Sequence, residues 1–306
     1  MEERKEKPAA NGKRNLADEK LTEEVLERFE NSKSERYKEI MQSLVKHLHA
    51  FASEVRLTEE EWSKGIDFLT RTGHITDEKR QEFILLSDVL GLSMLLVGIN
   101  DHKSDEATES TVFGPFFVEG SPCFTNGDDI ANGAPGEPCF MQGRVLSETG
   151  EPIPEARIEV WQADEEGFYD VEYDDLSETR GRGHLYSDDE GCYWFWSVRP
   201  EAYPIPYDGP VGELLEAANR SPMRPAHVHF MVEAPGYENL VTHVFADGDE
   251  HLDSDAVFGV KSSLITGFER HEPGTAPDGK KMDAPFYTMS YDIVLAPLAN
   301  GSSAEE

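Results

Sequence analysis

The spacing of apolar residues in this chain changes period near Thr111, and that change separates what can fold as helix from what can fold as sheet. Up to about residue 101 apolar side chains recur every three or four positions, as at Ile40, Leu44, Val45 and Leu48, which lines one helix face. Beyond Thr111 they alternate or run in short blocks at residues 139–146, 156–163, 192–198, 226–233, 240–246 and 289–295. Turn-rich stretches such as Glu148-Thr149-Gly150-Glu151-Pro152 and Asp188-Asp189-Glu190-Gly191 lie between these blocks. Short strands joined by turns predict an antiparallel β-sandwich after an N-terminal helical region, a mixed α and β fold. The boundaries read as a disordered lead-in at 1–20, helices at 21–110, the sandwich at 111–298 and a tail at 299–306.

Within the helical region the clearest start is Leu57-Thr58-Glu59-Glu60-Glu61-Trp62, where Thr58 caps, Glu61 reaches back to it and Leu57 staples onto Trp62. A second start at Thr76-Asp77-Glu78 precedes residues 83–99, which are apolar nearly all round and predict a helix buried on most faces. Ser87, Asp88 and Ser93 make that segment too polar, and its length too short, for a comfortable membrane span. Asp88 is its oddity, because a carboxylate among Leu85, Val89 and Leu92 is costly to bury unpaired. It sits either on a wet helix edge or in a pocket.

His227-Val228-His229 offers a chelate, since alternate residues on a strand project from one face. His47-Leu48-His49 does not, because residues two apart on a helix diverge. Glu233, four residues after His229, completes a cupin-like His-x-His-x3-Glu pattern, but the glycines that bracket such a motif are missing, with Ser221 and Leu240 in their places. The formal net charge of -33 repels phosphate backbones and anionic lipid, which argues against nucleic-acid and membrane-surface partners and for a small, neutral substrate. Cys123, Cys139 and Cys192 form no ligand-like or disulfide-like pattern and are expected to be buried or idle. With no apolar stretch behind the N-terminal charges, a cytoplasmic location is expected.

Three motifs, in order, carry a family resemblance. They are Trp161-Gln-Ala-Asp-Glu-Glu-Gly167-Phe-Tyr169-Asp170, then Tyr203-Pro-Ile-Pro-Tyr-Asp-Gly209-Pro210, then Arg224-Pro-Ala-His227-Val-His229. Together they resemble the successive iron-ligand motifs of the intradiol ring-cleavage dioxygenases, over roughly residues 21–297. The resemblance implies a ferric ion, Fe(3+), held by Tyr169, Tyr203, His227 and His229. A trivalent cation can keep phenolate ionised although phenol has a pKa of about 10. It also implies that Tyr203 takes a proton from the substrate and that Arg224 stabilises negative charge on the ring.

His243 stands where catechol-cleaving members of the family commonly carry Gln. With Val112-Phe-Gly-Pro-Phe116 and the run from Leu252 to Val260, it resembles the hydroxyquinol 1,2-dioxygenase subfamily. That likeness implies a pocket wall from Leu85, Asp88, Val112, Phe113, Gly114, Pro115 and Phe116, joined by Ile205, Pro206 and Val257, with Asp88 receiving the third hydroxyl of a triol. The expected substrates are an aromatic diol or triol and O2. The expected assembly is a homodimer through the helices, with room for a phospholipid between subunits.

Overall fold

The computed structural model describes residues 18–77, 80–173 and 178–298. The lead-in up to Leu16 and Ala17, Glu78 of the proposed second helix start, and the tail from Ala299 lie outside them. In chain order the helices α1 (Asp18–Arg28), α2 (Glu35–Val55), α3 (Glu59–Ile75), α4 (Glu82–Val89) and α5 (Leu92–Asn100) come first. Then follow β1 (Pro138–Ser147), β2 (Arg157–Trp161), β3 (Arg182–Tyr186), β4 (Cys192–Val198), β5 (Tyr203–Pro204), α6 (Pro210–Ala217), β6 (Met223–Arg224), β7 (His227–Glu233) and β8 (Leu240–Ala246). The short strands β9 (Ile265–Thr266), β10 (Phe268–His271), β11 (Gly274–Thr275) and β12 (Lys281–Met282) precede β13 (Phe286–Ser290) and β14 (Ile293–Leu295).

The chain divides into two compact units between Leu69 and Thr70. In the first, α2 is capped by Ser34, whose side chain accepts from the Tyr37 N–H, and by Arg56 in the left-handed region. The Thr58 box is present: the Thr58 N–H donates to Glu61 at 2.9 Å and the Glu61 N–H donates to Thr58 Oγ1 at 3.2 Å.

In the second unit, the expected single helix over 83–99 is broken. The Gly91 N–H donates to the Asp88 carbonyl at 2.9 Å and Gly91 takes φ +74°, so α4 stops and α5 leaves at 75°. The expected burial also fails at Phe83, Ile84, Leu90, Leu92 and Leu95, which are exposed. No single helix among the described residues is long and apolar enough to cross a membrane, although the bent α4–α5 pair meets that length and composition together.

β5–β6 and β11–β12 form two-stranded ribbons, and two five-stranded sheets carry most of the strands. One runs β10-β13-β1-β14 with β4 also on β1, and the other runs β3-β2-β7-β8-β9. Their inner faces share a core that includes Met141, Val145, Ile158, Val160, Phe195, Val228, Phe230 and Ile293. Most pairs are antiparallel as expected, but β1 meets β13 and β14, and β8 meets β9, in parallel. These partners return after long excursions rather than hairpins, so nothing forces them antiparallel.

Candidate metal centre

The period-two alternation of β7 decides where the histidines go. Val228, Phe230 and Val232 enter the core, and His227 and His229 take the opposite face of the sheet. Register then fixes their neighbours. His229 lies opposite Trp161 on β2 and opposite His243 on β8, while His227 lies opposite Phe245. Trp161 stacks on the His229 ring at 4.7 Å.

Two tyrosines complete the cluster, one from the short strand β5 and one from a loop. Tyr203 pairs with Arg224 across the β5–β6 ribbon, which brings the phenol and the guanidinium to the same place. Tyr169 arrives on the segment after β2, and Gly167 allows the approach: at φ +84°, an added Cβ there would meet Tyr203 Cβ at 2.7 Å. The ion pair of Asp170 with buried Arg182, at 2.6 Å, anchors the residue next to Tyr169. Arg182 also donates to the Phe116 carbonyl at 2.8 Å.

The polar atoms converge. Tyr169 Oη lies 2.9 Å from Tyr203 Oη and 2.8 Å from His229 Nε2. Tyr203 Oη is 3.4 Å from His227 Nε2, and the two Nε2 atoms are 3.2 Å apart. All four side chains are buried. His227 Nδ1–H donates to the Pro225 carbonyl at 2.7 Å, which leaves Nε2 of the neutral ring as a lone pair facing the cluster. Burial, then the Arg224 charge, lower the His227 pKa to about 3, and burial lowers His229 well below the usual imidazole range. Burial raises both phenols, Tyr169 well above its ordinary value, with Arg224 opposing the rise at Tyr203.

This donor set fits a cation. Each of the four atoms lies within 3.4 Å of two of the others, two imidazoles are held neutral, and His229 Nδ1 and His243 Nε2 are buried without hydrogen-bond partners among the described residues. A metal ion would replace the phenol protons and offset the burial that disfavours phenolate. One nitrogen from each of His227, His229 and His243 also lies within 4.8 Å of the others. Glu233, the cupin-like alternative, pairs instead with Arg157 at 3.6 Å. It stands four residues from His229, about 13 Å along the strand.

Comparison with known proteins gives this geometry a family. The model described as "Dioxygenase" matches residues 112–297, and the one described as "Catechol dioxygenase N terminus" matches residues 34–108. The chain belongs to the intradiol ring-cleavage dioxygenase family. A hydroxyquinol 1,2-dioxygenase of Nocardioides simplex is 57% identical over 278 residues, covering 90% of this chain and 94% of that protein. The crystal structure of hydroxyquinol 1,2-dioxygenase from Pseudomonas putida DLL-E4 superposes with a TM-score of 0.86 at 48% identity, over 92% of this chain and 98% of that one. A catechol 1,2-dioxygenase of Candida albicans is 39% identical, over 90% of this chain and 91% of that protein.

The remaining expected site residues of this intradiol dioxygenase fall into two groups. Phe116 stacks on Tyr169 at 4.4 Å, and a Cβ on Gly114 would come within 3.3 Å of the His229 ring. Phe113, more exposed, packs edge-on against Phe117. Leu85, Val112, Ile205 and Val257 form a separate apolar cluster with Val211 and Leu215 from α6. Pro115 and Pro206 are half-buried beside Gly114 and Ile205.

Asp88 is buried at the C-terminal end of α4 rather than on a wet edge. Burial raises its pKa, with a hydrogen bond from Ser93 and the Arg224 charge opposing. Its helix is held at both ends: Glu82 accepts the Val211 N–H of α6 at 3.0 Å, and Arg220 donates to the Val89 carbonyl at 2.6 Å.

Four features escaped the sequence reading: the Trp161 stack, Thr111 bonded to His243 Nδ1 at 2.9 Å, the Asp170–Arg182 pair, and the Asp255–Arg224 pair. Trp161 and Asp255 lay inside motifs already singled out. Arg182, between Gly181 and Gly183, carried no signal. Of the cysteines, Cys139 is buried but Cys123 is exposed, and all three are free.

Proposed function

We propose that this enzyme cleaves hydroxyquinol, benzene-1,2,4-triol, between its two adjacent hydroxylated carbons with O2. The product is 3-hydroxy-cis,cis-muconate, a tautomer of maleylacetate. The observation that carries this reading is the convergence of two phenols and two imidazoles in one buried cluster, with Arg224 against His227 and Asp88 within electrostatic reach of Arg224. Tyr169, Tyr203, His227 and His229 would hold Fe(3+). A ferric ion in that set supplies the Lewis-acid centre that makes a chelated catecholate reactive toward O2.

The chain's own groups do the rest. Tyr203 Oη, as phenolate, takes a proton from the entering diol. Arg224, whose cationic form Asp255 and the two tyrosines favour against the effect of burial, places a fixed positive charge beside the ring, its NH1 lying 3.1 Å from His227 Nε2. Asp88 hydrogen-bonds the third hydroxyl. Leu85, Val112, Ile205 and Val257 cover the ring and exclude water.

The helices suggest the assembly. Tyr37, Ile40, Leu44, Leu48, Phe51 and Val55 are all exposed along α2 at intervals of three and four residues, an apolar stripe suited to a second copy of the chain. We take the enzyme to be a homodimer through these helices, with a phospholipid able to occupy apolar space between subunits. Three free cysteines suit a reducing, cytoplasmic location.

Oxygen uptake by the iron-loaded enzyme, with hydroxyquinol and catechol side by side and products identified, tests the reading. Faster turnover of hydroxyquinol is expected. Faster turnover of catechol would make it a catechol 1,2-dioxygenase forming cis,cis-muconate, and no uptake with either would leave a non-catalytic metal-binding sandwich.

A further inference from the structure

We propose that Asp255 is a positioning residue: its carboxylate fixes the Arg224 guanidinium against His227 and keeps it from pairing with Asp88. This rests on the reading of Arg224 as the charge beside the reacting ring.

Arg224 and Asp255 are both buried, and the pair is bonded along one edge of the guanidinium. Arg224 Nε donates to Oδ1 at 3.1 Å and NH2 donates to Oδ2 at 3.5 Å. Because the guanidinium is a rigid planar fork, fixing its Nε and NH2 edge dictates where NH1 points. It lies 3.1 Å from His227 Nε2, whose one lone pair would go to the metal, so what Asp255 fixes is the place of the Arg224 charge beside that nitrogen rather than a hydrogen bond to it. The carboxylate is itself fixed, since Oδ1 accepts the Val257 N–H at 3.3 Å and Oδ2 accepts the Gly259 N–H at 2.8 Å.

Two further observations support a positioning role. Asp88 is a second buried carboxyl within electrostatic reach of both Arg224 and Asp255, so the guanidinium has a competing partner. Gly259 leaves space for the pair: a Cβ there would meet Asp255 Oδ2 at 3.1 Å, Arg224 NH2 at 3.2 Å and His243 Nδ1 at 3.6 Å. Asp255 also organises the loop that carries Val257, so a purely structural role must be separated from action through Arg224.

Asp255→Asn makes that separation. The amide keeps the shape but has one acceptor oxygen, so in either orientation two of the four N–H groups face an NH2. In the iron-loaded enzyme kcat for hydroxyquinol should fall roughly 10- to 100-fold. On an Arg224→Ala background the same change should alter kcat less than about two-fold, because the residue it acts through is gone. If the losses multiply instead, Asp255 only props the loop and the proposal is overturned. If Arg224→Ala keeps wild-type kcat, the reading of Arg224 fails and this proposal fails with it.

Should Asp255→Asn not accumulate as folded protein, Gly259→Ala presses on the same pair from the backbone. It should cost a smaller factor that also vanishes on Arg224→Ala, and a loss that persists there overturns the proposal. A crystal structure of metal-free Asp255→Asn supplies a readout independent of turnover. NH1 is expected to leave His227 for the Asp88 carboxyl, and an unmoved guanidinium would contradict the proposal.

Discussion

The helices before Leu69 and the two β-sheets treat apolar side chains in opposite ways. α2 buries none of its residues and leaves a heptad-like stripe in the open, whereas Val228, Phe230 and Val232 on β7 are fully enclosed between the sheets. The sheets thus complete their own core, which lets the reverse face of β7 hold His227 and His229 within 3.2 Å without slack. The helical stripe has no such cover from its own helix. Rigidity around the histidine pair belongs to the sheets, and the exposed apolar surface belongs to the helices.

Truncation should separate the two most strongly. Phe230→Ala removes a fully enclosed ring and should cost about 3 to 5 kcal/mol in urea unfolding. A cost under 1 kcal/mol would mean that the sheet core is loosely filled. Acid gives a second contrast. His227 titrates at about 3 in the fold against about 6.5 when unfolded, so its contribution is complete above 6.5 and is lost as pH falls toward 3; His229 and His243 share the sign. The metal-free sheets should therefore weaken below about pH 6.5. Near-ultraviolet circular dichroism reads this largely from Trp161, Trp194 and Trp196, and a signal flat down to pH 3 would contradict it.

Substrate discrimination is the next effect in size. Asp88→Ala should lower kcat/KM for hydroxyquinol by about 10- to 100-fold and leave catechol turnover unchanged or improved, since only the triol loses a hydrogen bond. Equal losses on both substrates would make Asp88 a support for α4. The smallest effect on folding is expected in the stripe. Leu48→Glu should change monomer stability by no more than about 0.5 kcal/mol yet shift sedimentation from dimer to monomer. A large stability loss without dissociation would mean that the stripe packs against its own chain.

Much of this was legible in the sequence where one physical rule acts alone. Alternation on β7 separated His227 and His229 from Val228, and the Thr58–Glu61 box announced α3. Longer-range relations were not legible. The break at Gly91 was hidden because the apolar run 83–99 reads as one helix, while the turn depends on one glycine adopting φ +74°. Asp255 and Arg224 are 31 residues apart and Asp170 and Arg182 are 12 apart, and no spacing rule joins them; only the fold does. The family motifs picked out Tyr169, Tyr203, His227 and His229, which the fold brings together, but the hydrogen bond of His227 to the Pro225 carbonyl was not legible.

The visible spectrum of the iron-loaded protein tests most directly whether Tyr169, Tyr203, His227 and His229 form a ferric centre. Phenolate-to-ferric charge transfer should colour the protein, and Tyr169→Phe should shift or weaken the band. A colourless iron-loaded protein, or a band unchanged in Tyr169→Phe, would contradict the four-donor assignment.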